Sequence, residues 1–183
     1  MELFWERGYE GTSISELTRA IGINSPSLYA AFGSKEDLFR EAIALFDARE
    51  GAVTEGALRR EGTARAAIEA MLRDNADLYA DPDNPSGCMV VLATTTWTPD
   101  NEDLRTYLAA LRNKPAELMR ARLERGIEAG ELPPGTDVQA LADYYNTVLE
   151  GLSIQARDGA SSETMHAIID FAMATWDGLI VER

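Results

Sequence analysis

Apolar residues recur along this chain at the three- and four-residue spacings of an α-helix, and β-branched runs alternating every second position are absent. The first predicted helix covers MELFWERG and stops at Gly8; Leu3, Phe4 and Arg7 lie too near its start to form a full apolar face. A second runs from about Ser13 to Ile21, with Ser13 and Glu16 at capping-box spacing and Ile14, Leu17 and Ile21 as its stripe. Gly22 breaks it, and Ile23 reads as a buried turn residue. A third, short helix begins with Ser25 as N-cap and Pro26 at the first helical position, where Pro is best tolerated, and ends near Ala31. Ser34, with Asp37 three residues on, caps a fourth helix whose inner face is Leu38, Phe39, Ala42, Ile43 and Phe46.

Beyond it, the Gly-rich GAVTEGALRREGT reads as the end of the fourth helix and a connector. A fifth helix follows over about Ala64 to Tyr79, then the loop DPDNPSG. CMVVLATTTW predicts a short buried sixth helix, although its Val and Thr would also suit extended chain. The seventh spans about Glu102 to Ala129, with Pro115 inside it as a kink or a split near Asn113. A Thr136–Gln139 box opens the eighth, about Asp137 to Arg157, and a ninth runs from about Ser162 to Val181. The pattern predicts an all-α chain of two parts, residues 1–48 and residues 49–183.

The 183 residues carry 31 Asp and Glu against 17 Lys and Arg, a formal charge of −14. That excess argues against a protein that coats nucleic acid non-specifically. It is unevenly spread: residues 12–35 hold only Arg19, Lys35 and Glu16, a sum of +1. The one cysteine, Cys88, leaves no internal disulfide and suits a reducing cytoplasm. Cys88 has no Lys, Arg or His close in sequence to activate it, so a small buried apolar residue is the favoured reading over a redox sensor. The opening residues lack the basic start and apolar run of a signal peptide, and the longest apolar piece, CMVVLA, is too short to span a membrane.

The second and third helices, joined by a turn containing Gly, have the helix-turn-helix arrangement, whose second helix enters the DNA major groove. Ser25 and Ser27 can bond to phosphate or base edges, Tyr29 can reach a phosphate, and Lys35 adds a point charge. The start of the third helix favours an anion through its unbonded N–H groups. A purely structural αα-turn remains the alternative on spacing alone.

The stretch GYEGTSISELTRAIGINSPSLYAAFGSKEDLF resembles the N-terminal domain of the TetR family of bacterial transcriptional repressors. It supplies the family's pattern through Gly8, Tyr9, Thr12, Ser13, Ile14, Gly22, Ser25, Leu28, Tyr29, Phe32, Ser34, Lys35, Glu36, Leu38 and Phe39. The later residues match the family's general plan more loosely. The resemblance implies a helix-turn-helix DNA-binding domain at 1–48 and an effector-binding and dimerisation domain at 49–183. Thr12 and Ser13 would touch phosphate, while Ser25, Pro26, Ser27, Tyr29 and Lys35 face a pseudo-palindromic, double-stranded operator. Ala30 and Ala31 stand where relatives often carry larger side chains, which shifts readout toward thymine methyl contacts, Ser27 and DNA shape.

The resemblance further implies a homodimer paired through the eighth and ninth helices. Their stripes offer Leu149, Leu152, Ile168, Ile169, Ala172 and Trp176, with packing inside the protomer as the alternative. A small-molecule effector would sit between the fifth to eighth helices. Tyr79, Met89, Leu92, Trp97, Tyr107, Leu111, Met119 and Tyr144 are the candidates; they suit an apolar or aromatic molecule and would serve equally as ordinary core. No cofactor or metal is implied. Family members also begin with more of the first helix and a basic arm, so the native chain is expected to extend upstream of Met1. The competing class is a helical small-molecule-binding protein or enzyme that does not use its helix-turn-helix. Against an enzyme, the lone His166 and single Cys88 make no metal cluster, and neither G-x-S-x-G nor G-x-x-x-x-G-K-[ST] occurs.

Overall fold

The computed structural model describes residues 1–60, 62–93 and 101–180. Among them the regular structure is helical: α1 (Glu2–Arg7), α2 (Ile14–Ile21), α3 (Ser25–Phe32), α4 (Lys35–Phe46), a π-helical turn (Asp47–Gly51), α5 (Ala52–Arg59), α6 (Ala64–Tyr79), α7 (Met89–Leu92), α8 (Glu102–Glu128), α9 (Val138–Arg157), α10 (Ser162–Ala174) and α11 (Trp176–Leu179). No described helix is long and apolar enough to cross a membrane.

The head is built from α1–α4. Local caps set its helix starts. Ser13 Oγ accepts from the Glu16 N–H at 3.2 Å, and Glu16 Oε2 accepts from the Ser13 N–H at 2.9 Å. Gly22, at φ 78°, closes α2 in the left-handed region that favours glycine. The cap of α3 is Asn24 rather than Ser25: its Oδ1 accepts from the Ser27 N–H at 2.9 Å, which places Ser25 and Pro26 at the first two helical positions. Pro is tolerated there because the first-turn N–H groups have no intrahelical acceptor. Ser34 caps α4 by accepting from the Asp37 N–H at 3.0 Å.

Although α1 has only six residues, its Phe4 and Trp5 are both buried. Phe4 meets Phe39 edge-on at 4.9 Å, and Trp5 meets Phe46 at 4.8 Å. Leu17, Leu28, Ile43, Met89, Val90, Leu104 and Leu108 complete this core, so the head packs directly on α7 and the start of α8.

The expected connector after α4 is instead helical. Position 48 falls inside the π turn, and α5 continues from it, burying Thr54, Ala57 and Leu58 against α6. Burial of that stripe outweighs the loss of roughly 1 kcal/mol expected for each glycine inside a helix. Helix α8 runs unbroken through Pro115 for 27 residues. Pro115 leaves the Leu111 carbonyl without its usual donor, and beside it Asn146 Nδ2 donates to the Arg112 carbonyl at 3.5 Å. Asp137, not Thr136, caps α9, accepting from the Ala140 N–H at 3.0 Å; Thr136 is buried and bonds to the Pro133 carbonyl. The ninth predicted helix stops early at Ala174, where Thr175 Oγ1 donates to the Ala172 carbonyl at 2.7 Å. The body core is formed by Ile68, Met71 and Leu72 of α6, Met119 and Leu123 of α8, Tyr145, Leu149 and Leu152 of α9, and Met165, Ile169 and Trp176 beyond.

Candidate nucleic-acid interface and ligand cavity

Helix α3 turns almost all of its side chains outward. Leu28 is fully buried and Phe32 half-buried, while Pro26, Ser27, Tyr29, Ala30 and Ala31 are exposed and Ser25 is half-buried. A helix anchored by one leucine at its centre presents the rest of its surface to whatever approaches. Tyr29 is 47% exposed. Lys35, at the start of α4, stands with its Nζ 4.2 Å over the Tyr9 ring. Burial lowers the Lys35 pKa and raises that of Tyr9. The ring holds the ammonium in one place while leaving it charged, a role for Tyr9 that sequence reasoning did not assign. Arg19, exposed in the last turn of α2, is a second cation of the helix-turn-helix that the residue-by-residue resemblance passed over.

Two residues expected at phosphate are held in bonds within the head. Thr12 is fully buried, and its hydroxyl donates to the Gly8 carbonyl at 2.8 Å with the Leu3 carbonyl at 3.2 Å. It ties α1 to α2 and has no free face. Ser13 is exposed, but its hydroxyl donates to Glu16 Oε2 at 2.7 Å, inside the capping box. The start of α3 also offers less to an anion than the spacing implied, because Pro26 has no N–H and Asn24 takes that of Ser27. This face therefore offers side chains more than a helix terminus.

The head is locked to the body at several points. The buried Trp5 indole N–H donates to the Gly87 carbonyl at 2.8 Å. Arg157, near the end of α9, donates to the Trp5 carbonyl at 2.7 Å and the Glu6 carbonyl at 3.3 Å. The Arg40 guanidinium lies 4.7 Å over the Tyr107 ring. Lys114 Nζ reaches Asp47 Oδ2 in the π turn at 2.8 Å.

Beside that turn lies a cleft. Its wall draws on Phe46 and the π turn, on α5 and α6 through Thr54, Asn75, Leu78 and Tyr79, on Cys88 and the α7 residues Val90 and Val91, on Leu111, Arg112, Lys114, Pro115 and Leu118 of α8, and on Asn146, Leu149 and Glu150 of α9. Of the expected effector residues, Tyr79 and Leu111 line it. Met89 and Met119 are 1% and 0% exposed inside the two cores, and cores are what their spacing reports. Leu92 is half-buried close to Gly87, where its Cδ1 would lie 3.0 Å from an added Cβ. Tyr107 belongs to the head–body joint, and Tyr144 stands edge-on to Tyr145 at 4.9 Å. Trp97 lies outside the described residues. The wall is more polar than the expected list, with Thr54, Asn75, Arg112, Lys114, Asn146 and carboxylates from Asp47, Glu50 and Glu150. Cys88 lines it too, and burial raises its pKa, which keeps it a thiol.

The expected dimer stripe lies mostly inside the protomer. Leu149, Leu152, Ile169, Ala172 and Trp176 are all buried in the body core, and Leu149 also faces the cleft; Ile168 alone of that set is exposed, at 36%. What α9 and α10 do present is Ile154 at 45% and Phe171 at 78% exposure, together with Ala167 and Ala174. His166 sits on the other edge of α10, with Nε2 2.7 Å from Asp77 and Nδ1 3.0 Å from an Arg73 nitrogen, a surface cluster that ties α10 to α6.

Residues 1–42 match the family model described as bacterial regulatory proteins, tetR family, and residues 62–172 match that of the tetracyclin repressor-like C-terminal domain. The chain is 34% identical to the HTH-type transcriptional repressor ComR of Escherichia coli K12, over 98% of this chain and 86% of that protein. It is 30% identical to the repressor BdcR of the same organism, over 90% and 79%. Among solved structures it is similar to a cysteine mutant of the TetR family regulator CifR complexed with 26-bp operator DNA, at 43% identity and a TM-score of 0.93, covering 96% of this chain and 92% of that one. With both halves of the chain matched and the outward helix α3 in the place of a reading helix, this chain belongs to the TetR family and is a helix-turn-helix transcriptional regulator, not an enzyme.

Proposed function

We propose that the protein is a cytoplasmic homodimeric repressor, released from a pseudo-palindromic operator when a small molecule occupies the cleft beside the π turn. One observation carries this reading: the cleft wall includes the residues that continue α4, the helix that follows α3 in the head. Short π segments inside helices recur at functional sites because they leave the local hydrogen-bond ladder open to rearrangement. A ligand that prefers one arrangement of this turn biases the position of the head, and its leverage is its differential affinity, typically about 1–3 kcal/mol. Two reading helices on a symmetric dimer meet successive turns of the duplex, which a single α3 is too small to do with specificity. The partner surface in this reading is the exposed face of α9 and α10 around Ile154, Ile168 and Phe171, since large exposed apolar side chains on a monomer mark an association site.

The test is fluorescence-anisotropy binding to the intergenic DNA beside the gene. Lys35→Ala removes one phosphate-directed charge and lowers the salt slope of log K by about one unit. Tyr29→Phe removes one hydrogen bond and weakens binding roughly fivefold, about 1 kcal/mol. Unchanged affinity and salt slope in both variants on a verified operator would overturn the assignment of this face.

A further inference from the structure

Two of the buried polar atoms that lack any hydrogen-bond partner stand on the wall of the same cleft: Arg112 Nη1 and Asn146 Oδ1. Asn146 is 9% exposed. Its Nδ2 is committed to the Arg112 carbonyl at 3.5 Å and Glu150 Oε1 at 3.3 Å, both acceptors. Turning the amide over would set oxygen against oxygen, so the orphaned atom of Asn146 is the oxygen. Several other polar groups of the wall are occupied. Thr54 and Asn75 bond to each other, and Asn75 also donates to the Met71 carbonyl at 2.8 Å. Lys114 is paired with Asp47, and the Tyr79 hydroxyl is engaged with Cys88. Among the described residues, the buried atoms of this wall without a partner are one guanidinium nitrogen that needs an acceptor and, on a side chain bonded to the Arg112 carbonyl, one amide oxygen that needs a donor.

Arg112 is half-buried, but its Nη1 is closed off from solvent without an acceptor, and a carboxylate would satisfy that N–H through a charge-assisted hydrogen bond. The charged groups facing the cleft limit how many negative charges it accepts: Asp47, Glu50 and Glu150 line it against Arg112 and Lys114. A second carboxylate would meet acidic wall. Apolar side chains of Val90, Val91, Leu111, Leu118 and Leu149 supply the rest of the lining.

We propose that the cleft takes a small monocarboxylate with a hydroxyl or N–H beside its carboxylate, the anion on Arg112 Nη1, the donor on Asn146 Oδ1, and an apolar tail against the Val and Leu wall. This rests on the reading of the cleft as the effector site and narrows the expected apolar effector to one with a single anionic end.

The probes are 2-hydroxyhexanoate, hexanoate, hexanamide, hexanol and the tricarboxylate tricarballylate, titrated into the full chain by calorimetry with thermal shift alongside. The expected order is 2-hydroxyhexanoate tightest, hexanoate next, and the neutral compounds and the tricarboxylate at least tenfold weaker. Arg112→Met should lose at least tenfold in affinity for both monocarboxylates, with Arg112→Lys between it and the parent. Asn146→Leu should abolish the preference for the hydroxy acid; if that variant misfolds, the ligand series on the parent chain still decides. Hexanamide or hexanol binding as tightly as hexanoate, undiminished carboxylate binding by Arg112→Met, or no binding by any probe, as for a cleft that holds only water, would each overturn the proposal. Operator release, assayed in parallel, separates the two readings. Neutral compounds that bind and release operator would overturn the monocarboxylate inference and leave the repressor reading standing. Arg112-dependent carboxylate binding with operator affinity unchanged would sustain the inference and remove this cleft from regulation.

Discussion

Trp5 is the residue whose loss should most directly loosen the head from the body. Its indole N–H donates to the Gly87 carbonyl at 2.8 Å across 82 residues of sequence, and its ring lies 4.8 Å from that of Phe46. Trp5→Phe retains an aromatic ring but leaves the carbonyl without a donor. Gly87 has little room to compensate: at φ 78°, a Cβ there would lie 2.5 Å from the Ser153 carbonyl oxygen, so its backbone is pressed against α9. An unsatisfied buried carbonyl costs about 1–3 kcal/mol. The volume lost between indole and phenyl adds about 1 kcal/mol where neighbours relax only partly. The sum is about 2–4 kcal/mol, a large part of the ~5–15 kcal/mol that holds a typical domain folded. Urea unfolding followed by far-ultraviolet circular dichroism measures it as a lower midpoint with unchanged slope. A loss under about 0.5 kcal/mol, within the scatter of ordinary surface substitutions, would refute the claim that this hydrogen bond couples head to body.

Two further outcomes follow from burial. Phe171→Glu, at a 78% exposed site, should yield a folded monomer by light scattering, whereas Ile169→Glu, at a fully buried one, should fail to fold; a dimer undisturbed by Phe171→Glu would remove this face from the interface. Burial raises the Tyr145 pKa from 10.0 to about 12, so its neutral form is favoured in the fold. That contribution is complete below pH 10 and is lost as pH rises toward 12, by up to about 2 kcal/mol. Tyr145→Phe should therefore make the alkaline decline in stability shallower over that window, and an identical decline would refute the assignment to Tyr145.

Sequence by itself determined most of the helices and the reading head because both depend on neighbours within a few residues. Caps at Ser13 and Ser34 are bonds across three positions, and the apolar stripe of α6 repeats over sixteen residues, so each was legible locally. Even the misplaced cap of α3 was off by one, since Asn24 and Ser25 can both accept from a first-turn N–H. The motif of the head lies in one contiguous stretch, whereas the sequence SPSLYAAF did not by itself say that only Leu28 would be buried. Tertiary structure decided what covers each face. Helical spacing marks Ile169, Ala172 and Trp176 as apolar without saying whether a partner or the protomer's own α6 and α9 lie opposite. Thr12 looks like a surface hydroxyl until α1 folds over it. The cleft joins wall residues from Phe46 to Glu150, and its orphaned atoms are visible only once every other polar group has found its partner. A hydrogen-bond vacancy is a property of the packed whole, which no local window of residues contains.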